Sequence, residues 1–262
     1  MSKVILITGG SAGIGAVAAA DLVRRGHQVV LAARDAERLG AVAAPLGTQA
    51  ATVVADVTRR ADVERVRDEA LAAFGRIDIW INNAGRGIAR PVLALTDDDV
   101  DEIVAVNVKS VLYGVQAVVP YFQARGDGGR GDGHVITISS FLARVPLAPV
   151  RSVYSAAKAA VNSLMTNLRM DLATTHPGIH VSTIMPGVVL TDFGRNARGA
   201  AEPGAAPPPP PGGTMLPQTA EDVALVIARV IEHPVAEAYT NPASPTLARD
   251  FFARIGAFEP LA

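Results

Sequence analysis

Apolar positions follow two alternating rhythms along the chain. Short unbroken apolar runs recur as KVILIT (3–8), QVVLAA (28–33), AATVVAD (50–56), IDIWIN (77–82), HVITIS (134–139) and HVSTIM (180–185). Longer helix-like segments separate them: 15–26, 35–46, 61–74, a long one from after Thr96 to about Arg125, one from about Arg151 to Thr174, and 220–233. A last strand is expected near 237–241. Runs that do not alternate with polar residues have both faces covered, so the pattern predicts a parallel sheet sandwiched between helices. With no repeat and no mid-chain linker, residues 1–262 read as one doubly wound α/β domain. The acids Asp97–Asp99 fall in the first turn of the long helix, where they favour its N-terminus.

Composition narrows the functions open to such a fold. The 262 residues carry a formal net charge of −1, with 49% hydrophobic and 19% charged residues. That balance offers no electrostatic footprint for nucleic acid or an anionic membrane. Cysteine is absent, which excludes disulfides, thiolate–metal sites and thiol catalysis. The start, MSKVILITGG, is interrupted by glycine too soon to read as a signal peptide, and no apolar run reads as a membrane span. A cytoplasmic protein is the expectation. The histidines of HPGIH (176–180) are separated by Pro177 and Gly178, which break the helix that would align them, so no metal site is expected. One stretch departs from the rhythm: GAAEPGAAPPPPPGG (199–213) is proline-rich and reads as a substrate lid at about 192–218 or as a floppy surface insert.

Candidate chemistry begins where the first strand ends. TGGSAGIG (8–15) places Gly9 for a tight turn, Gly13 for close approach of backbone to a ligand, and Gly15 for packing of helix on strand. The N–H groups of the helix start can then hold a pyrophosphate. The spacing is G-x-x-x-G-x-G, unlike the more familiar G-x-G-x-x-G. The second strand ends LAARD, with Ala33 where a carboxylate for the ribose hydroxyls of NAD would lie. Arg34 can present a planar fork to the 2′-phosphate of NADP, and equally reads as a solvated surface residue. Asp35 reads as the cap of the next helix.

These motifs, together with DV (56–57), NNAG (82–85), VNV around Asn107, ISS (138–140), YSAAK (154–158) and PGVVLT (186–191), make the chain resemble a classical short-chain dehydrogenase/reductase over roughly residues 3–192. The resemblance implies a Rossmann-like sheet, a nicotinamide cofactor (NADP before NAD) and a small alcohol or carbonyl substrate. It implies cofactor contacts from Gly9, Ser11, Gly13, Ile14, Gly15, Arg34, Asp56, Val57, Asn83, Ala84, Gly85, Pro186, Gly187, Val189 and Thr191. It implies a catalytic tetrad of Asn107, Ser140, Tyr154 and Lys158, the last two also touching the cofactor. Ser140 would hold the substrate oxygen, and Asn107 would order a water leading from Lys158 to solvent. A homo-oligomer is expected, a dimer through the long helix and the Tyr154 helix before a tetramer. A non-catalytic NADP-binding sensor on the same fold is the alternative.

Tyr154 and Lys158 stand four apart, so a helix puts both on one face. A phenol has a pKa near 10, and lowering it by roughly three units takes about 4 kcal/mol. One ammonium about 4 Å away at an effective dielectric near 20 supplies that much. Two smaller expectations follow from the same region. The fourteen residues from Ser140 to Tyr154 leave room for a bulge in the loop between them, and Phe141, Leu142, Val145 and Leu147 point to an apolar substrate. Arg86, Arg90, Arg144 and Arg151 read either as partners for a carboxylate or phosphate, or as solvated surface.

Overall fold

The computed structural model of the chain describes residues 1–200 and 215–253. Seven parallel strands form one sheet in the order β3-β2-β1-β4-β5-β6-β7. They are β1 Val4–Thr8, β2 Gln28–Ala33, β3 Ala50–Val54, β4 Ile79–Asn82, β5 Gly133–Ile138, β6 Ile179–Met185 and β7 Glu237–Tyr239. The helices are α1 Gly13–Arg24, α2 Ala36–Ala43, α3 Arg60–Phe74, α4 Asp97–Val104, α5 Ser110–Gln123, α6 Ser152–Thr175, α7 Ala220–Glu232 and α8 Ser244–Ala253.

Alternation within the central strand sorts its side chains into two cores. Leu6 joins Val30, Trp80, Val118, Phe122 and Val135 beneath α3, α5 and α6. Ile5 and Ile7 join Leu22, Leu31, Ile81, Ile136 and Ile227 beneath α1 and α7. Ile5, Leu6 and Ile7 are wholly inaccessible, as an unbroken apolar run requires. The chain starts mid-sheet, winds outward through β2 and β3, then reverses to β4. The crevice for a ligand therefore opens beyond the C-terminal ends of β1 and β4.

Four features differ from the expectation. The long helix is interrupted by a π turn at Ala105–Lys109, which a pattern of apolar spacing cannot register. The second helix stops at Ala43 and continues as a 3₁₀ stretch, Ala44–Gln49, because Pro45 has no N–H to continue the α ladder. The tail after β7 forms α8, whose Ala248 is buried with Phe141, Val145 and Met215. Asp97–Gln123 is, by length and composition, apolar enough to cross a membrane, and half of its apolar 18-residue window is buried in the fold. Its apolar face is spent on the sheet and on α3. Other readings of the helix starts hold: Asp35 accepts from the Arg38 N–H, and Thr96 with Asp99 forms a capping box ahead of α4.

Candidate active site

The glycine loop leaves β1 with Gly9 and Gly13 at φ of +69° and +54°, values that favour glycine. A Cβ on Gly15 would clash with the Gly9 carbonyl oxygen and lie 2.6 Å from Asn83 Nδ2. Unlike α2, α4 and α7, helix α1 begins at a residue, Ala12, that offers no side-chain cap. Its first N–H groups are free for an anion. Ser11 is half-buried in the same turn, while Ile14 packs inward on the core. Across the loop, the Thr191 methyl lies 3.6 Å from where a Gly13 Cβ would stand. This uncapped, Cβ-free cradle fits a dinucleotide pyrophosphate.

Thr8, whose role the sequence reading missed, fastens this end of the sheet. Its hydroxyl accepts from the N–H groups of Asn83 (3.1 Å) and Ala84 (3.2 Å) and donates to Ile81 O (3.3 Å). Asn83 Nδ2 donates back to the carbonyls of Thr8 (2.9 Å) and Gly9 (3.1 Å). Asn83 thus acts by holding the two strand ends together, and Gly85 continues toward the catalytic groups. At the end of β2, Ala33 is buried while Arg34 is exposed. The Asp35 carboxylate is taken up by the cap and by Arg38 at 3.4 Å. Asp56 accepts from the Thr58 N–H (2.9 Å) and hydroxyl (2.8 Å), whereas Val57 is buried in the core.

On α6, Tyr154 and Lys158 project from one face, with Lys158 Nζ 5.9 Å from the Tyr154 ring centroid. Lys158 is 3% exposed and has no acidic partner among the described residues; its ammonium donates to Ile138 O at 2.9 Å. Burial brings its pKa down to about 8. The Tyr154 phenol is pushed up by burial, against which hydrogen bonding to Ser140 and the charge of Arg151 work. The expectation that Lys158 lowers the phenol is therefore not met by the protein's own groups. Desolvation of the phenolate outweighs what Ser140 and Arg151 contribute, and the Lys158 ammonium stands 5.9 Å from the ring centroid. The neutral phenol, a proton donor, is the form that burial favours.

Asn107 lies in the π turn and is fully buried. A π turn leaves a carbonyl without its usual partner. Asn107 Nδ2 fills that gap at Ile103 O (3.1 Å), donates to Arg86 O (2.9 Å), and its Oδ1 accepts from the Arg86 N–H (3.2 Å). Both amide hydrogens are thus committed to backbone, leaving a lone pair of Oδ1 for a water. A Cβ on Gly85 would stand 3.0 Å from Asn107 Oδ1 and 3.7 Å from Lys158 Nζ, so all three meet at one point.

The end of the loop from Ser140 to Tyr154 is pinned to the segment 88–90. Arg90 N–H donates to Val150 O (2.8 Å), Ser152 Oγ to Arg90 O (2.7 Å) and Arg151 Nη1 to Ile88 O (2.8 Å). Phe141 and Val145 are buried against α8 and Met215 with Leu147 beside them. Of the four apolar residues expected to meet substrate, only Leu142 packs in the Tyr154 cluster. Opposite, Phe193 sets its ring 5.7 Å from that of Tyr154, and Arg198 is bonded to the backbone of Gly87 and Ala89 and paired with Asp99 and Glu102. Pro186 accepts from the Phe141 N–H at 2.8 Å. Gly187 is covered by Met215, and Val189 pairs with Gln218. The core of the lid reading, residues 201–214, lies outside the described residues; its flanks at 192–200 and 215–218 are anchored.

A doubly wound sheet with an uncapped glycine cradle at its switch point and a buried Tyr–Lys pair beside a serine defines a dinucleotide-dependent oxidoreductase. The chain matches the short chain dehydrogenase family over residues 3–202, and it belongs to that family. It is 33% identical over 202 residues to an uncharacterized oxidoreductase of Staphylococcus epidermidis, covering 75% of this chain and 84% of the relative. A short chain dehydrogenase/reductase from Burkholderia phymatum in complex with NAD superposes with a TM-score of 0.85 at 26% identity, covering 100% of this chain and 98% of that one. The closed form of serine dehydrogenase complexed with NADP+ gives 0.81 at 30% identity, covering 92% and 95%.

Proposed function

We propose that the protein is an NADP-dependent oxidoreductase interconverting a ketone or aldehyde and an alcohol: carbonyl compound, NADPH and a proton in one direction, alcohol and NADP+ in the other. The observation that carries this reading is the juxtaposition of Tyr154, Ser140 and Lys158 on the cradle side of α6. The cofactor supplies the hydride; the chain supplies everything that happens at the substrate oxygen. Tyr154, held neutral by burial, donates a proton to that oxygen as negative charge develops on it. Ser140, next to the phenol, donates a second hydrogen bond. Lys158, still cationic at neutral pH with a pKa of about 8, replenishes the proton and stabilises the phenolate left behind.

NADP is preferred over NAD on the end of β2: the nearest carboxylate, Asp35, is occupied as a helix cap, and Arg34 is exposed there. The serine dehydrogenase holding NADP+ is compatible with this reading, as is the NAD complex with its less preferred alternative. The described flank at 192–200 sets Phe193 on Tyr154, and exposed Leu112 on α5 and Met170 on α6 would be covered in a homodimer of a cytoplasmic protein. The test is Tyr154→Phe, expected to lower turnover by roughly 10²–10⁴ while NADPH binding, followed by its fluorescence, stays within a few-fold. Near-normal turnover would remove Tyr154 as the acid.

A further inference from the structure

Four arginines surround the substrate side, and the structure separates them. Arg86 pairs with Glu102 at 2.6 Å, Arg90 with Asp99 at 3.4 Å, and Arg144 with Glu237. Arg151, half-buried like the other three, differs from them in that no acidic side chain among the described residues pairs with it. Its one protein hydrogen bond in that set runs from Nη1 to Ile88 O at 2.8 Å. A guanidinium carries five N–H donors, so four remain. Among the described residues, neither its Nε nor its Nη2 has a hydrogen-bond acceptor, and neither is a sealed buried atom.

The place it faces is the reaction site. Arg151 stands three residues before Tyr154, the spacing that makes helical neighbours, and its charge acts on the phenol. A Cβ on Gly87 would be 3.1 Å from Arg151 Nη1, and one on Gly194 3.6 Å from Nη2; both positions are glycine, and the guanidinium lies between them. Phe193, beside Gly194, packs on Tyr154. Withdrawing a cation from water with no counter-charge is costly. A ligand anion would offset that cost.

We propose that Arg151 is the subsite for a carboxylate on the substrate, so that the reaction proposed above acts on an oxo acid and its hydroxy acid. This rests on that reading of the site. One planar fork matches one carboxylate in bidentate fashion. A phosphate dianion would call for a second cation free of ion pairs, whereas Arg86, Arg90 and Arg198 are tied up in a network with Asp99 and Glu102, and Arg144 pairs with Glu237. The guanidinium lies between Gly87 and Gly194, beside the Phe193 that packs on Tyr154, which keeps the carboxylate near the reacting carbon.

The experiment compares 2-, 3- and 4-oxo acids of four to six carbons with their primary amides, on the full chain with NADPH. For the best pair, kcat/KM for the acid is expected to exceed that for the amide by roughly tenfold to a hundredfold. Arg151→Gln should bring that ratio to within about threefold, and Arg151→Lys, which keeps charge and loses the fork, should fall between. Using a ratio separates recognition from any general loss of activity or folding in the variants. A wild-type ratio near one, an unchanged ratio in Arg151→Gln, or a matched phosphonate preferred over the acid overturns the assignment. Reduction of neutral ketones with no preference for acids sinks the inference and leaves the proposed function standing. If no carbonyl compound is reduced, the thermal shift of the protein with the same acids and amides decides separately: stabilisation by acids alone, lost in Arg151→Gln, upholds the carboxylate subsite, and equal shifts overturn it.

Discussion

The cofactor wall of the cleft and the substrate wall are built by different means. At the ends of β1 and β4 the contacts are made by backbone: glycines at positive φ, uncapped N–H groups of α1, and carbonyls of Thr8 and Gly9 held by Asn83. Across the cleft the contacts are made by side chains brought from far apart. Gln218 exchanges hydrogen bonds with Thr240 at 2.6 and 2.7 Å and forms a short ladder with Val188 and Leu190. Arg198 reaches back to Asp99 and Glu102. A wall made of backbone tolerates few substitutions and is the same for every substrate, whereas a wall made of side chains can be rewritten.

The most demanding test of that contrast sits between the walls. Lys158 titrates at about 8 in the folded chain against an ordinary 10.5, so the unfolded chain holds more protons between those values and stability rises with pH across that window. The gain is on the order of 3 kcal/mol, present above pH 10.5 and lost as pH falls to 8. Tyr154, whose pKa is raised, acts oppositely above pH 10. Urea midpoints from pH 7.5 to 10 should show the rise in the wild type and lose it in Lys158→Met.

Next in size, Gly15→Ala should disrupt the backbone wall. The added methyl meets Gly9 O and Asn83 Nδ2, for an overpacking cost of roughly 1–3 kcal/mol in chemical denaturation and at least about a tenfold loss of NADPH affinity. Arg34→Asp should shift the ratio of kcat/KM for NADPH over NADH by about tenfold or more toward NADH; an unchanged ratio would take Arg34 out of the cofactor site. Gln218→Ala is expected to do least: KM for the carbonyl substrate rises a few-fold through loss of about 1 kcal/mol of hydrogen bonding, with NADPH affinity unmoved. Equal effects on both ligands would erase the distinction between the walls.

This contrast also explains what could be read from the chain alone. TGGSAGIG and YSAAK are contiguous, and each encodes its own geometry, so the cradle and the Tyr154–Lys158 face are legible without coordinates. The continuous apolar strands likewise announce a sheet covered on both sides. The π turn holding Asn107 leaves no trace in apolar spacing. Phe141 and Val145 look like pocket residues until α8 arrives to bury them, and α8 itself hides in a tail broken by Pro242 and Pro245. Four arginines look alike in sequence; only tertiary contacts place three in ion pairs and leave Arg151 without one among the described residues.

The anchoring of Arg198 on one side and of Met215 and Gln218 on the other has a practical corollary. Both attachment points belong to the body of the protein: Arg198 is tied to Asp99 in the first turn of α4, and Gln218 to Thr240 just after β7, so a change at either end of the substrate wall reaches the packing of α4 or of the last strand.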